Sequence, residues 1–364
     1  MHIVKKMLRE IDRPLRDRFN VNINKADWEL FTEPLTDNFG NIDFKKFLSR
    51  QQKSIKIIKQ ILEYHGKERI VRYLAELATI EPKIQDLQPW VRDHVVHAIN
   101  TFVLGAYILE KIKTPSFRGL RFDYPFAWKL CGPTHDLGYP IEIARNVQNP
   151  FVDKFNSFLS DLNSASPKIT ADIYPENLNK LCGMIDSNDL IQDRINDWAL
   201  GINLEDYYDW LKTKNRTDHG VISALAQLKL LDAMYQKANP NRDNIDIEMS
   251  GFNFNQSNFT QDIITASSAI FIHNIDLTYY GFSNKINFEL SPIAFLLYLC
   301  DSFQEWDRYS KKKNVFSGND FNIKCRSSRI LLSVPDELED KVFTALHQRL
   351  CGFTVKVNDR VAVN

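Results

Sequence analysis

Apolar residues recur at helical spacing along most of the chain. In SIKIIKQILEYHG (54–66), Ile55, Ile58, Ile61 and Leu62 mark one face of a helix with Gly66 as its stop, and KERIVRYLAELATI (67–80) resumes the pattern. Four more segments read as apolar helices: DHVVHAINTFVLGAYILEKI (93–112), DHGVISALAQLKLLDAMYQKA (218–238), QDIITASSAIFIHNI (261–275) and SPIAFLLYLCDSFQEWDRYS (291–310). The last opens with Ser291 as N-cap and Pro292 at the first helical position, and its pattern carries the helix through Asp301 toward Ser310. A polar, Asn- and Asp-rich stretch from about 160 to 217 lies between the first and second of these four segments, and reads as an insertion with helical pieces, placed like a lid.

The character changes after the run Lys311, Lys312, Lys313. RILLSV (329–334) alternates like a strand, PDELEDKVFTALHQRL (335–350) is a helix with Gly352 just past its end, and FTVKV (353–357) is a second strand. The expected organisation is therefore mainly α: a helical N-terminal region over 1–90, a helical core domain over 91–310, and a small β-α-β module over 311–364.

Composition narrows the class only a little. With 44% hydrophobic and 25% charged residues the chain can bury a sizeable core. Its 46 basic and 46 acidic side chains cancel, so no global field recruits nucleic acid or an anionic membrane, although a local basic strip stays open. The five cysteines, Cys131, Cys182, Cys300, Cys325 and Cys351, form no CxxC pair, which fits free thiols in a reducing compartment rather than a disulfide framework or a thiolate zinc site. No window reaches the ~18 apolar residues of a membrane span. The expectation is a soluble cytoplasmic protein with no membrane partner; homo-oligomerisation is left open.

Chemistry enters with the histidines. Of eight, His2, His65 and His347 sit in charged or terminal contexts, while His94, His97, His135, His219 and His273 each lie on or at the end of an apolar helix. An imidazole facing a core needs a partner. Two carboxylates share that context: Asp136, directly after His135 in GPTHDLGYP, and Asp301, directly after AFLLYLC. Imidazoles and carboxylates drawn from several helices, with no thiolate among them, suit Mn, Fe, Co, Ni, Mg or Zn rather than a structural cysteine site.

The order His, His-Asp, His, His and a closing Asp at the end of an apolar helix resembles the HD superfamily of metal-dependent phosphohydrolases, over residues 90 to 308. HAINTFVLG from His97 follows the family's first-histidine pattern with Thr101 as a departure, His135 and Asp136 match the signature pair, and Asp301 matches the closing aspartate. His219 and His273 resemble the two extra histidines of the branches that bind two metals. The resemblance implies an HD-type helical bundle in which His97, His135 and Asp301 hold one divalent ion, His219 and His273 a second, and Asp136 bridges them. His94 stands where the triphosphohydrolase branch often carries a phosphate-contacting arginine; a register shifted by one turn would make His94 the metal ligand instead of His97. Tyr139 occupies the place of a lysine in signalling phosphodiesterases of the superfamily, so it is a candidate hydrogen-bond donor to phosphate, with Arg145 and Arg308 as candidate substrate contacts. Asp218 is read as a helix cap or an orienting partner for His219, Gln304 and Glu305 as candidates to face the pocket, and Trp306 as core.

The implied activity is hydrolysis of a phosphate ester or anhydride, most simply in a nucleotide or another phosphorylated small molecule. Within the same superfamily the alternatives are a nuclease acting on single-stranded nucleic acid, which the neutral net charge does not favour, a di-iron oxygenase, and a degenerate binding domain, against which the complete ligand set speaks.

Overall fold

A computed structural model describes residues 1–33, 43–62, 70–76, 90–91, 94–112, 124–145, 186–238, 248–249, 252–253, 259–306, 309–310 and 316–364. The fold is mainly helical with a small strand-containing C-terminal region, as the patterning predicts. Eleven helices position the site: α1 (Ile3–Phe19), α2 (Lys25–Thr32), α3 (Phe44–Ile61), α4 (His94–Lys111), α5 (Tyr124–Cys131), α6 (Ser187–Asp197), α7 (Leu204–Thr213), α8 (His219–Ala238), α9 (Ile264–His273), α10 (Pro292–Phe303) and α11 (Asp336–Arg349). Residues 139–145 form a further short helical stretch.

Two of these helices are buried on every side. Residues 94 to 109 of α4 and all of α9 are shielded from solvent, so their polar side chains face protein wherever they point. Such elements are central rather than amphipathic. α1 and α3 pack on α4, and α1 turns Ile3, Met7, Ile11 and Leu15 inward; α9 lies between α8 and α10, with α5 and α6 also against it. Gly105 on α4 is what lets α5 approach: a Cβ there would overlap the indole of Trp128, whose Nε1 donates to Phe102 O at 3.0 Å. Among the described residues no helix is long and apolar enough to cross a membrane.

Three expectations need correction. The helix bearing Asp301 ends at Phe303 instead of running to Ser310, because Gln304 leaves helical geometry (φ −76°, ψ 80°) and uses its side chain to bind His97 and Trp306 O. The described part of the polar insertion is no loose lid: in 186–217, Ile191, Ile195, Trp198, Tyr207 and Trp210 are core residues, and α6 packs on α9. The polar residues there sit on the outer helix faces and caps; the remainder of the insertion up to 185 lies outside the described residues, as does the resumed helix over 67–80 except for 70–76. The C-terminal module has two strands more than β-α-β.

That module runs β1 (Asn322–Arg326), β2 (Arg329–Ser333), α11, β3 (Thr354–Val357) and β4 (Arg360–Val363), with spatial order β4-β3-β2-β1. Strands β2 and β3 are parallel across the α11 crossover, and hairpins add the two antiparallel edges. Strands of five and four residues at the sheet edges are too short for alternation to stand out, which is why β1 and β4 escaped the pattern. The module is tied to the helices by parallel pairing of 286–287 with 350–351, by Lys341 Nζ to Glu305 Oε2 at 2.9 Å and by Arg349 Nη2 to Asp276 O at 2.7 Å.

Candidate metal centre

The histidine-aspartate pair sits in a tight turn, 132–138, between α5 and the helical stretch 139–145. The turn is held by Thr134 N to Cys131 O, Leu137 N to Thr134 O and Tyr139 N to Asp136 O, at 3.3, 3.2 and 3.1 Å. Behind it, Gln227 of α8 donates to Leu130 O and Thr134 Oγ1, both at 2.9 Å, and accepts from Ser267 Oγ of α9 at 3.1 Å. One side-chain amide thus locks turn, α8 and α9 together. Gly138 allows the close approach this requires: its N donates to Ser223 Oγ at 2.8 Å, and a Cβ there would lie 2.7 Å from His219 O.

Into this frame the helices deliver their ligand-type residues. α4 contributes His97, α8 its first residue His219, α9 its last residue His273, and α10 Asp301. All of the imidazoles and Asp136 are buried. His97 Nε2 lies 3.0 Å from His135 Nε2, 3.5 Å from Asp136 Oδ2 and 3.1 Å from Asp301 Oδ1. Asp136 Oδ1 is 3.4 Å from His135 Nε2, 3.3 Å from His219 Nε2 and 3.8 Å from His273 Nε2. Two overlapping triads result, His97-His135-Asp136 and Asp136-His219-His273, sharing Asp136 and each compact enough to hold a metal ion.

The opposite ring nitrogens decide the chemistry. His135 Nδ1 donates to Gly132 O at 2.8 Å, His273 Nδ1 to Ile270 O, His219 Nδ1 to Glu142 Oε2 at 2.6 Å, and His97 Nδ1 to Gln304 Oε1. Each acceptor fixes the proton on Nδ1 of the neutral ring, so the lone pair of each Nε2 points at Asp136. Imidazole lone pairs and two carboxylate oxygens facing one small volume repel one another unless a proton or a metal cation stands between them. His273 Nε2 is buried and has no hydrogen-bond partner among the described residues. This donor set fits divalent ions of the imidazole-carboxylate class.

Electrostatics agree. Burial lowers the His135 pKa to about 3, with His97 and His273 pushing the same way against the pull of Asp136, so its ring is neutral and ready to ligate. Burial alone would raise Asp136, but the surrounding histidines, His135 foremost, hold its carboxyl well below the usual range. For His219 burial is again opposed and here outweighed: the carboxylates of Asp136 and Glu142 hold it well above the ordinary imidazole value, so without a metal its Nε2 carries a proton toward Asp136, which a divalent ion would displace.

A cavity of about 610 Å³ opens onto the centre, with Glu142, His273 and Asp301 in its wall. Asp218, Asp276, Asn274, Tyr207, Tyr298, Ser302 and Arg216 line the rest. Four carboxylates against one guanidinium make an enclosure that would reject an anionic ligand unless cations offset them.

The remaining sequence candidates fall as follows. His97, not His94, belongs to a triad, that of His135 and Asp136; His94 stacks on Tyr139, ring centroids 3.8 Å apart, and Tyr139 meets the His219 ring edge-on at 5.4 Å. Both are therefore neighbours of the ligand cluster. Arg145 is turned into the protein, donating to Thr217 Oγ1 at 2.6 Å and Asn215 Oδ1 at 2.8 Å, so it braces the segment that leads into α8. The cation on the cavity wall is instead Arg216, within that braced segment and ion-paired with Asp276. Arg308 lies outside the described residues. Asp218 caps α8, accepting from Gly220 N at 2.7 Å, while the orienting of His219 belongs to Glu142. Trp306 is core and Glu305 pairs with Lys341.

Sequence reading passed over Glu142, Gln304 as a His97 partner, Gln227 and Arg216. Glu142 had a signal: it stands three residues after Tyr139 on one helical stretch, on the face that follows the His-Asp turn. Gln227 and Arg216 had none, since a lone glutamine on an apolar helix and an arginine in a polar loop are common. Comparison with models of known protein families, with curated proteins and with solved structures finds no match to this chain.

Proposed function

We propose that this chain is a metal-dependent phosphohydrolase of the HD type, cleaving a phosphate ester or anhydride of a nucleotide. The observation that carries the proposal is the ring of four Nε2 atoms, each tautomer set by an oxygen acceptor on Nδ1, around the shared Asp136 beside a cavity. His97, His135 and Asp301 would hold one divalent ion, His219 and His273 the other, and Asp136 would serve both. Two such ions supply Lewis acidity toward phosphate oxygens and lower the pKa of a water toward neutrality.

The chain's own residues do the rest. Glu142 and Gln304 keep His219 and His97 in one orientation, so no ring has to turn as a ligand enters. Tyr139, three residues after Asp136, is held between His94 and His219 and would offer a neutral donor beside the cluster. Arg216, on the cavity wall, offers a guanidinium fork to a phosphate once it leaves Asp276. The apolar wall from Leu211, Ile275 and Leu277 suits the organic part of a nucleotide better than inorganic phosphate.

The test is metal analysis of purified protein together with turnover, under added manganese, of dNTPs, NTPs, cyclic nucleotides and single-stranded DNA. Two divalent ions per chain and phosphate release from a nucleotide support the proposal. Iron with oxygen uptake and no phosphate release would replace it with an oxygenase; cleavage of single-stranded DNA alone would replace it with a nuclease.

A further inference from the structure

The C-terminal sheet has two faces of opposite chemistry. On one, Ile323, Ile330, Leu332, Val355 and Val357 are buried. Arg360, opposite Val357 in the β4–β3 register, lies on this same side, its guanidinium 3.8 Å from the Phe343 ring centroid and 2.6 Å from Asp340 of α11. Strand alternation sends positions 322, 324, 326, 329, 331, 333, 354, 356 and 361 to the other face. None of these nine residues is buried: Lys324, Arg326, Ser333 and Val361 are exposed and the other five half-buried.

Four of those nine outward positions are cationic and none is acidic, in a chain whose charges balance overall. The register aligns Lys324, Leu331, Lys356 and Val361 in one row across all four strands, and Arg326, Arg329 and Thr354 in the next. Among the described residues none of Lys324, Arg326, Arg329 and Lys356 has an ion-pair partner, and Lys6 of α1 adds a further ammonium at the edge, 2.7 Å from Asn322 Oδ1. Arg326 and Arg329 are directly opposite across the β1–β2 hairpin, an arrangement that destabilises a strand pair. Protection of an exposed edge accounts for lysine on β1, but not for Arg329 and Lys356 on the two central strands. Of the module's six acids, Asp336, Glu337, Glu339 and Asp340 are on α11, while Asp320 precedes β1 and Asp359 lies in the β3–β4 turn. The module is therefore polarised, basic on its open face and acidic on its helix.

We infer that this face is a docking surface for single-stranded nucleic acid, held through its phosphates. Charge complementarity demands a polyanion. The neutral outward side chains, Asn322, Ser333 and Thr354, are the hydrogen-bond donors that recur in phosphate and sugar contacts. Four strands at ~4.8 Å spacing make a surface ~14 Å wide, suited to one backbone rather than to a duplex gripped across a groove. No aromatic side chain lies among the outward positions, so bases are not stacked and binding is independent of sequence. This surface is distinct from the metal centre, and its occupancy does not depend on what the centre hydrolyses.

Binding of a fluorescein-labelled oligo(dT), about 20 nucleotides long so as to exceed the ~4–16 covered by one site, to the full chain tests this, with chelator present to keep the metal centre empty. Four contacted phosphates give a slope of log K against log salt of about −2.8, a ~50-fold loss between about 50 and 200 mM. Lys324→Gln combined with Arg326→Gln should halve that slope to about −1.4, leaving a ~7-fold loss over the same range, with circular dichroism unchanged. Absence of binding at the lower salt, equal binding by the double variant, loss of binding in Asp136→Asn, or tighter capture of anionic phospholipid vesicles, a polyglutamate peptide or a duplex of the same length would each overturn the inference.

Discussion

Nε2 of His97 lies 3.0 Å from Nε2 of His135, while the Nδ1 of each ring is already engaged by an oxygen, Gln304 Oε1 for the first and Gly132 O for the second. Two lone pairs brought that close in a buried site need a proton or a cation between them. Because burial holds His135 neutral down to a pKa of about 3, a cation is the better resident at neutral pH.

Asp136→Asn should therefore remove metal rather than the fold. Bound divalent ion, measured by elemental analysis after reconstitution, should drop from two per chain to one or none, and phosphohydrolysis should fall by more than the ~10³-fold that loss of one preorganised donor costs. Circular dichroism should stay as in the parent, since a single carboxylate contributes little to a core this size. Undiminished turnover in a folded, metal-free variant would place the chemistry elsewhere.

Metal should stabilise the parent in a way the variant cannot share. Manganese at about 100 times its Kd adds ~2.7 kcal/mol by mass action, which lifts Tm by several degrees and is reversed by chelator. The Asp136→Asn protein should show a smaller rise, or none if it holds no ion. A differential scanning experiment reads both.

Glu142→Ala should act on one ion only. Glu142 accepts from both the backbone N of His219 at 3.0 Å and its Nδ1 at 2.6 Å, so its loss frees the ring that serves the Asp136-His219-His273 triad. Affinity at that position should weaken by ~10–100-fold, the usual cost of removing an orienting partner, while the triad of His97 and His135 keeps its ion. Titration with one and two equivalents of manganese distinguishes the two; equal weakening of both would contradict the assignment.

Arg216→Ala tests recognition apart from chemistry. The residue is on the cavity wall and half-exposed, paired with Asp276. A guanidinium that grips phosphate equally in ground and transition states changes KM and leaves kcat alone. The expected rise is ~10–100-fold, matching the ~1.5–3 kcal/mol of a charged hydrogen bond. A fall in kcat at constant KM would move Arg216 into the reacting machinery.

Gly105→Ala should destabilise without touching the site. Its Cβ would overlap the Trp128 ring, and a packed indole cannot yield cheaply, so the loss should reach or exceed the ~1–3 kcal/mol of an overpacked core. Urea unfolding gives the value; a midpoint equal to the parent's would mean α4 and α5 pack less closely than described.

Much of this molecule was legible in one dimension. The 3.6-residue period placed most of the helices, and the expense of a polar group in an apolar face singled out His97, His135, Asp136, His219, His273 and Asp301, because burying an imidazole or carboxylate demands a partner wherever it occurs. What the period could not separate was His94 from His97: three residues apart, they share one helix face, and the choice depends on the rotation of α4 against the 132–138 turn, which is set by Gly105 under Trp128 and by Gly138 against α8. Glu142, Gln304, Gln227 and Arg216 became visible only in three dimensions, since each matters through a partner 77 or more residues away or through a cavity wall built from separate helices. The basic sheet face is of the same kind: Lys324, Arg326, Arg329 and Lys356 are unremarkable along a chain of balanced charge, and only strand register gathers them. Local sequence determines which residues cannot be exposed or buried alone; the long-range packing of α4, α8, α9 and α10 decides which of them meet.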